Sequence, residues 1–328
     1  MSNNIRKIAV LTSGGDAPGM NAAIRSVVRT CAYHKVECVG IYRGYQGMIE
    51  GDFKEMNARS VNNIINRGGT ILKSARSMDF RTPEGREKAY RHLRDHNIDA
   101  FVVIGGDGSF TGAMIFSESF DFPVMGIPGT IDNDIYGTSF TLGYDTALNT
   151  VVEAIDKIRD TAISHNRLFF VEVMGRDAGH IALNTGVGAG AEEILIPEEN
   201  LGLERLLESM ERSRLSGKSS SIVVVAEGDK IGKSVFELKE YVEDNLPDYD
   251  VRVTVLGHIQ RGGRPTCFDR VLASRMGVKA VESLLEGKSN YMVGLAKDEI
   301  ILTPLDQAVK GKSEINRELL RVSDIMTT

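Results

Sequence analysis

The sequence predicts an α/β protein with largely parallel sheets flanked by helices. Three observations carry that expectation. Short apolar, β-branched runs recur along the chain, helical periods stand between them, and two Gly-Gly-Asp turns directly follow such runs. The 328 residues leave room for a large core and for two domains.

Taken in order, the run at 8–11 is apolar throughout, as a strand covered on both faces requires. Thr12-Ser13-Gly14-Gly15-Asp16-Ala17-Pro18-Gly19 follows it. Met20, Ala23, Ile24, Val27, Val28 and Cys31 then recur at three- and four-residue spacing, the stripe of a helix packed on a sheet. A second strand is expected at 37–42, and a third at 100–104 leads into Gly105-Gly106-Asp107-Gly108-Ser109. The run at 124–127 leads into Pro128-Gly129-Thr130-Ile131-Asp132-Asn133-Asp134, after which Leu148, Val151, Val152, Ile155 and Ile158 mark another amphipathic helix. Strands at 168–173, 194–196, 222–226 and 251–256 complete the pattern. No internal repeat, low-complexity stretch or Pro/Ser-rich linker interrupts it.

Composition narrows the function. A net charge of -6 gives no general footprint for nucleic acid or an anionic membrane, so an anionic ligand must be small and met locally. Cys31, Cys38 and Cys267 lack CxxC spacing, which argues against a zinc site or a disulfide framework and for reduced, cytoplasmic thiols. No stretch has the length of a membrane span or a signal-peptide core.

The two glycine turns read as a phosphate site. Glycine lets backbone N–H groups approach an anion, and the following helix points its positive end at the same place. Asp107 could then hold a magnesium ion carried in by phosphates. Either turn alone could also be an ordinary strand-to-helix connection, the less favoured reading; two in one sheet favour the phosphate further. Asp132 and Asp134 fall after a strand, where open α/β sheets bind ligands, and suit a general base with a metal-sphere partner, although the same residues could form an Asx-turn and a cap. Arginines gather in the second half at Arg159, Arg167, Arg176, Arg252, Arg261, Arg264 and Arg270, several beside glycine, and His258 stands in the same glycine-flanked group. Gly-Lys-Ser at 217–219, 232–234, 287–289 and 311–313 lacks the earlier glycine of a Walker A loop. Residues 186–191 fit a loose dinucleotide fingerprint but in the wrong order, before a strand and after a helical stretch.

Together TSGGDAPGMNAAIR from Thr12, INRGGT from Ile65, VIGGDGS from Val103, GIPGTIDND from Gly126, EVMGRDAGH from Glu172 and VLGHIQRGG from Val255 closely resemble the bacterial ATP-dependent 6-phosphofructokinases, in order along essentially the whole chain. The resemblance implies two similar α/β domains with crossover connections. The larger, ATP-binding one would hold 1–142 plus about 259–305, and the smaller, sugar-phosphate-binding one about 143–258 plus 306–328. It implies glycolytic transfer from Mg-ATP to the C1 hydroxyl of fructose 6-phosphate, with Mg²⁺ as cofactor, ATP as cosubstrate and a cytoplasmic homotetramer whose sugar and effector sites lie at subunit interfaces. The alternatives are a pyrophosphate-dependent relative and a catalytically weak nucleotide-sensing subunit.

Carried over residue by residue, the resemblance puts ATP on Gly15, Tyr45, Arg76, Ser77, Arg81, Arg86, Gly106, Asp107, Gly108, Ser109 and Gly112, and the metal on Asp107 with indirect help from Asp134. Asp132 matches the base, Thr130 stands beside it, and Arg76 and Arg176 would stabilise the transferring group. The sugar phosphate falls to Thr130, Asp132, Met174, Gly175, Arg176, Glu227, His258 and Arg261 of one subunit and to Arg167 and Arg252 of a neighbour. Pyrophosphate users tend to carry aspartate and lysine where this chain has Gly108 and Gly129. Arg25, Arg29, Arg159, Gly190, Glu192 and Lys218 match a site for ADP or phosphoenolpyruvate. Ala58, Arg59, Asn63 and Ser216 depart from that pattern, so a weakened or retuned effector site is expected.

Overall fold

The computed structural model describes residues 5–165, 167–199, 202–215, 221–228 and 234–326. In chain order these form β1 (Lys7–Thr12), α1 (Met20–Tyr33), β2 (Glu37–Ile41), α2 (Gly44–Glu50), β3 (Phe53–Met56), α3 (Pro83–Asp95), β4 (Ala100–Gly105), α4 (Asp107–Phe120), β5 (Val124–Pro128) and α5 (Tyr144–His165). There follow β6 (Arg167–Val173), α6 (His180–Gly188), β7 (Glu193–Leu195), α7 (Gly202–Leu215), β8 (Ser221–Ala226), α8 (Val235–Asn245), β9 (Asp250–Val255) and α9 (Cys267–Leu285). The last are β10 (Tyr291–Ala296), β11 (Glu299–Pro304), α10 (Leu305–Lys310) and α11 (Arg317–Met326). Every strand expected from the sequence is present.

The chain divides into two compact units. Counting described residues only, 1–131, 135–146 and 261–313 form the first, and 132–134, 147–260 and 314–328 the second. The first holds a seven-stranded sheet in the order β11-β10-β5-β4-β1-β2-β3, parallel except where β3 and β11 pair at its edges. β1 and β4 lie at its centre, and β4 is buried along its whole length, which is why both runs read as continuously apolar. Aromatic rings fill one face: Phe101, Phe110, Phe116 and Phe122 are buried together with Tyr45 and Phe80.

Strand order reverses between β1 and β4, whose residues Thr12 and Ile104 pair. At such a switch point the connections leave in opposite directions and open a crevice at the strands' carboxyl ends. Both Gly-Gly-Asp turns start there. The sequence reading assigned residues from 306 onward to the smaller domain, but α10 packs Leu305 and Ala308 into the first unit's core, because their one-turn spacing gives that short helix an apolar face.

The second unit holds a four-stranded parallel sheet in the order β7-β8-β6-β9. α7 and α8 bury Leu206, Met210, Leu238 and Val242 against it. Three neighbouring strands end in the segments that matter chemically: β6 before Met174, β8 before Glu227, and β9 before a 3-10 turn at Gly257–Arg261.

Candidate active site

The first unit's two glycine turns touch. Ser13 donates its N–H to the Ile104 carbonyl at 3.0 Å, and a Cβ on Gly14 would lie 3.5 Å from Ser109 Oγ. At Gly105 a Cβ would meet Ser109 Oγ at 2.5 Å and the Ser13 carbonyl at 2.6 Å, so only glycine permits this approach. α4 begins at Asp107, directly after Gly106, and its first N–H groups face the turn. Asp107 and Gly108 are exposed, and nothing lies within 4 Å of where a Gly108 Cβ would be.

Gly129 differs. Its missing Cβ would stand 3.1 Å from both Ile104 Cγ2 and Met20 Cε, in the packed interior rather than in open space. Of the two glycines tied to donor choice, only Gly108 faces room a ligand could use.

Other predicted residues divide between the turn and its supports. Thr130 is buried and sits against Gly106, whose Cβ position is 3.8 Å from Thr130 Cβ. Tyr45, expected to line the nucleotide, is instead buried. Its ring stacks on Phe80 at 4.1 Å and its hydroxyl donates to the Ser109 carbonyl at 2.5 Å, and burial pushes the phenol pKa well up. Tyr45 therefore braces the turn from the core side, beside Gly112. Ser77 donates to Gln46 Oε1 at 2.8 Å, and Arg86 donates to the carbonyls of Phe80 and Arg81, so both shape the 76–86 loop. Arg76 and Arg81 are exposed on it. Arg261 comes to the first glycine turn, with its Nη1 2.8 Å from where a Gly15 Cβ would be.

Sequence reasoning missed Asn21. Buried in α1, it donates to the carbonyls of Arg67 and Gly68 and accepts the Ile71 N–H at 2.8 Å, holding the 65–70 loop in place.

In the second unit, Asp132 is almost fully buried, and Arg176 Nε stands 3.3 Å from its Oδ2. Arg176 is itself largely exposed and adopts φ 54°, an uncommon backbone state for a side chain with a Cβ. Glu227 explains how the turn is held: its Oε1 accepts the N–H of Arg176 at 2.8 Å and of Gly175 at 3.3 Å. Burial, reinforced by Glu227, raises the Glu172 carboxyl above the usual carboxylate range. Gln260, also missed, is fully buried. Its carbonyl oxygen accepts the Met174 N–H at 3.1 Å and its amide donates to the Gly257 carbonyl at 3.0 Å, tying the Met174 turn to the 3-10 turn that exposes His258.

Arg167 and Arg252 lie elsewhere. Both pair with Asp250, Arg167 Nε at 2.7 Å and Arg252 Nη2 at 2.8 Å, and these partners, Arg167 first, hold the Asp250 carboxyl below its ordinary range. They occupy the amino ends of β6 and β9, while Met174 and Arg176 follow the carboxyl end of β6. A strand of seven residues separates those ends by roughly 20 Å.

The residues matched to an effector site fall into two groups among the described residues. Arg159 donates to the carbonyls of Ala189 and Gly190 and stands 3.8 Å from Glu192, which also accepts the Ile222 N–H. Arg25 and Arg29 are neighbours on α1; burial, then the charge of Arg29, lowers the pKa of Arg25. Lys218 and Ser216 lie outside the described residues, as does Gly217-Lys218-Ser219. Gly186 and Gly188 belong to the end of α6, so the dinucleotide fingerprint lacks the strand it needs. Among the described residues no helix is long and apolar enough to cross a membrane, and no group of three or more His, Cys, Asp or Glu side chains could hold a metal ion.

A family model described as phosphofructokinase matches residues 7–284. The chain is 53% identical over 318 residues to ATP-dependent 6-phosphofructokinase 2 of Bacteroides thetaiotaomicron, covering 97% of each. It is 55% identical over 322 residues to ATP-dependent 6-phosphofructokinase 1 of Thermus thermophilus, covering 98% of this chain and 99% of the relative. Among solved structures, phosphofructokinase from Saccharomyces cerevisiae superposes with a TM-score of 0.87 at 37% identity over 98% of this chain, which spans 46% of the yeast chain. A pyrophosphate-dependent phosphofructokinase from Marinobacter aquaeolei shares the fold, with a TM-score of 0.85 at 23% identity over 96% of this chain and 86% of that one.

Proposed function

The chain belongs to the phosphofructokinase family, and on that premise we infer that it works as an ATP-dependent 6-phosphofructokinase of glycolysis. It is a kinase that transfers the γ-phosphoryl group of ATP to the C1 hydroxyl of fructose 6-phosphate, giving fructose 1,6-bisphosphate and ADP. The observation that carries the mechanistic reading is a buried carboxylate, Asp132, in contact with an exposed guanidinium, Arg176, two residues along the chain from Thr130 at the phosphate turn.

Phosphoryl transfer runs through a loose transition state, so the protein's work is alignment and charge neutralisation. Gly15, Gly106 and Gly108 offer backbone N–H groups to the nucleotide phosphates, Ser109 closes the turn with its own N–H on the Gly106 carbonyl, and Arg76 adds a cation. Asp132 takes the proton from the sugar's C1 hydroxyl as that oxygen bonds to phosphorus and the bond to the ADP oxygen breaks. Arg176 orients Asp132 and faces the transferring group. The sugar phosphate is assigned to Met174, Gly175, Arg176, Glu227 and His258, and to Arg261. Arg167 and Arg252 come from a second copy, because they sit at the opposite end of their own sheet.

The residues fit a magnesium ion delivered by the nucleotide. Asp107 is exposed at the start of α4 beside the open space over Gly108, and one carboxylate plus phosphates and water suits a small hard cation. Asp107 would hold it, with Asp134 acting indirectly; when bound it neutralises phosphate charge. The same open space favours ATP over pyrophosphate as donor.

Turnover on fructose 6-phosphate is tested with Mg-ATP and, in parallel, with Mg-pyrophosphate, scoring fructose 1,6-bisphosphate. ATP alone should serve. Activity with pyrophosphate only would overturn the donor assignment and spare the sugar site, and silence with both would leave a nucleotide-sensing subunit.

An effector site completed between copies of a homotetramer is part of the proposal, weakened or retuned by Ala58, Arg59, Asn63 and Ser216. Asn63 in particular supplies no carboxylate for an effector-borne metal. A sigmoidal sugar curve relieved by ADP would refute the weakening.

A further inference from the structure

Asp269 has no part in the chemistry above, yet three helix starts converge on it. It is wholly buried in the first turn of α9. Its Oδ1 accepts the Gly143 N–H at 2.9 Å, and its Oδ2 accepts the N–H and hydroxyl of Thr146 at 2.9 and 2.5 Å. These are donors that the start of α5 would otherwise leave unsatisfied in the interior. Gly19, which caps α1 with φ 100°, packs on the same residue, its Cβ position 3.6 Å from Asp269 Cβ. Thr266 caps α9 by accepting the Asp269 N–H, donates its own N–H to Thr146 Oγ1 and gives its hydroxyl to Asp145. α5 and α9 therefore cap each other.

The connection runs on to the phosphate turn. Residues 141–143 lie beside 128–130: Leu142 donates its N–H to the Pro128 carbonyl at 2.8 Å, and the Thr141 hydroxyl donates to the Thr130 carbonyl at 2.6 Å. Thr130 in turn packs on Gly106. We propose that Asp269 is a positioning residue for phosphoryl transfer, which clamps residues 143–146 and, through Thr141 and Leu142, fixes Thr130 against the Gly106 turn. The proposal rests on the kinase reading above.

Its ionised form suits the clamp, because two backbone N–H groups and a hydroxyl need acceptors there. Burial nevertheless pushes the carboxyl up to about 6, Asp145 on α5 adding to the rise and the Thr146 and Gly143 hydrogen bonds opposing it. Gly19 and Gly143, which also meet it, bring no titratable group. Below about pH 6 a proton enters a cluster built of donors, and the clamp weakens.

Turnover of the unmodified protein is measured first; its absence overturns the kinase reading and this proposal with it. Asp269→Asn is then expected to lower kcat roughly 10- to 100-fold. It should leave the KM for ATP within about twofold and remove an acid limb near pH 6 from the kcat profile. Unfolding supplies a readout independent of activity. The folded carboxyl at about 6 lies above an unfolded value of about 3.9, so the folded state holds the extra proton between them. Stability of the unmodified protein should thus fall as pH rises through that window, relative to Asp269→Asn. Unchanged kcat and an unchanged acid limb in the variant overturn the proposal. If Asp269→Asn does not fold, Thr141→Val replaces it by removing only the hydroxyl that reaches Thr130. A lowered kcat with the acid limb retained, restored by Thr141→Ser, supports the proposal, and normal turnover in Thr141→Val overturns it.

Discussion

At the scale of single residues, the proposed base and its partner differ sharply in exposure. Asp132 is almost entirely removed from water while Arg176 beside it is open, so on the proposed reading a sugar hydroxyl reaching the carboxylate would meet a base already oriented by its partner. Asp132→Ser should lower kcat by about 10²- to 10⁴-fold while leaving sugar affinity near normal, read from steady-state kinetics and equilibrium binding. Near-normal turnover would remove Asp132 from the mechanism. The two donor-choice glycines should behave differently from each other. Gly108→Asp has room and should fold normally with weakened use of ATP, whereas Gly129→Lys forces a side chain between Ile104 and Met20 and should cost about 1–3 kcal/mol of stability. Thermal melts beside ATP kinetics separate the two effects; equal melting temperatures would sink the packing argument.

At the scale of elements, the site is made of turns that other side chains hold. Gln260 is the clearest case. Gln260→Ala would leave the Met174 N–H buried without an acceptor, a loss of about 1–3 kcal/mol, and free the turn that presents Arg176 from the one that presents His258. The expected reading is a raised KM for fructose 6-phosphate with the KM for ATP unchanged; a parallel rise in both would mean general destabilisation. The sequence disclosed this architecture unevenly. Strands buried on both faces announced themselves through unbroken apolar runs, and the glycine turns through spacing. β3, the four residues Phe-Lys-Glu-Met at a sheet edge, neither alternates nor has enough apolar content to register. β10 and β11 were hidden because Lys297 and Asp298 make their tight turn at φ 48° and 65°, where glycine or asparagine would have signalled a hairpin. Gln260 and Asn21 were illegible for another reason: a buried amide looks like any surface amide until its backbone partners are known. The bracing bond of Tyr45 was illegible for the same cause, since a tyrosine near a phosphate turn can line it or brace it.

At the scale of the whole molecule, the residues proposed for the sugar phosphate lie at two ends of one parallel sheet. Asp132, Arg176 and Glu227 gather where β6 and β8 finish, while Arg167 and Arg252 share Asp250 where β6 and β9 begin. Roughly 20 Å of strand between them exceeds the reach of any arginine, so if all serve one ligand, two copies must contribute. That requirement makes a strong prediction about mixtures. Asp132→Ser and Arg252→Ala should each be nearly inactive as pure assemblies. Dissociated and reassembled together, they should recover activity, because some sites then combine Asp132 from one copy with Arg252 from its neighbour. Reassembly is followed by size and turnover by fructose 1,6-bisphosphate formed. Hybrids of the right size with no recovered turnover would show that each chain's arginines serve its own fold, and Asp250 would then be their structural partner rather than a holding position for residues a neighbour requires.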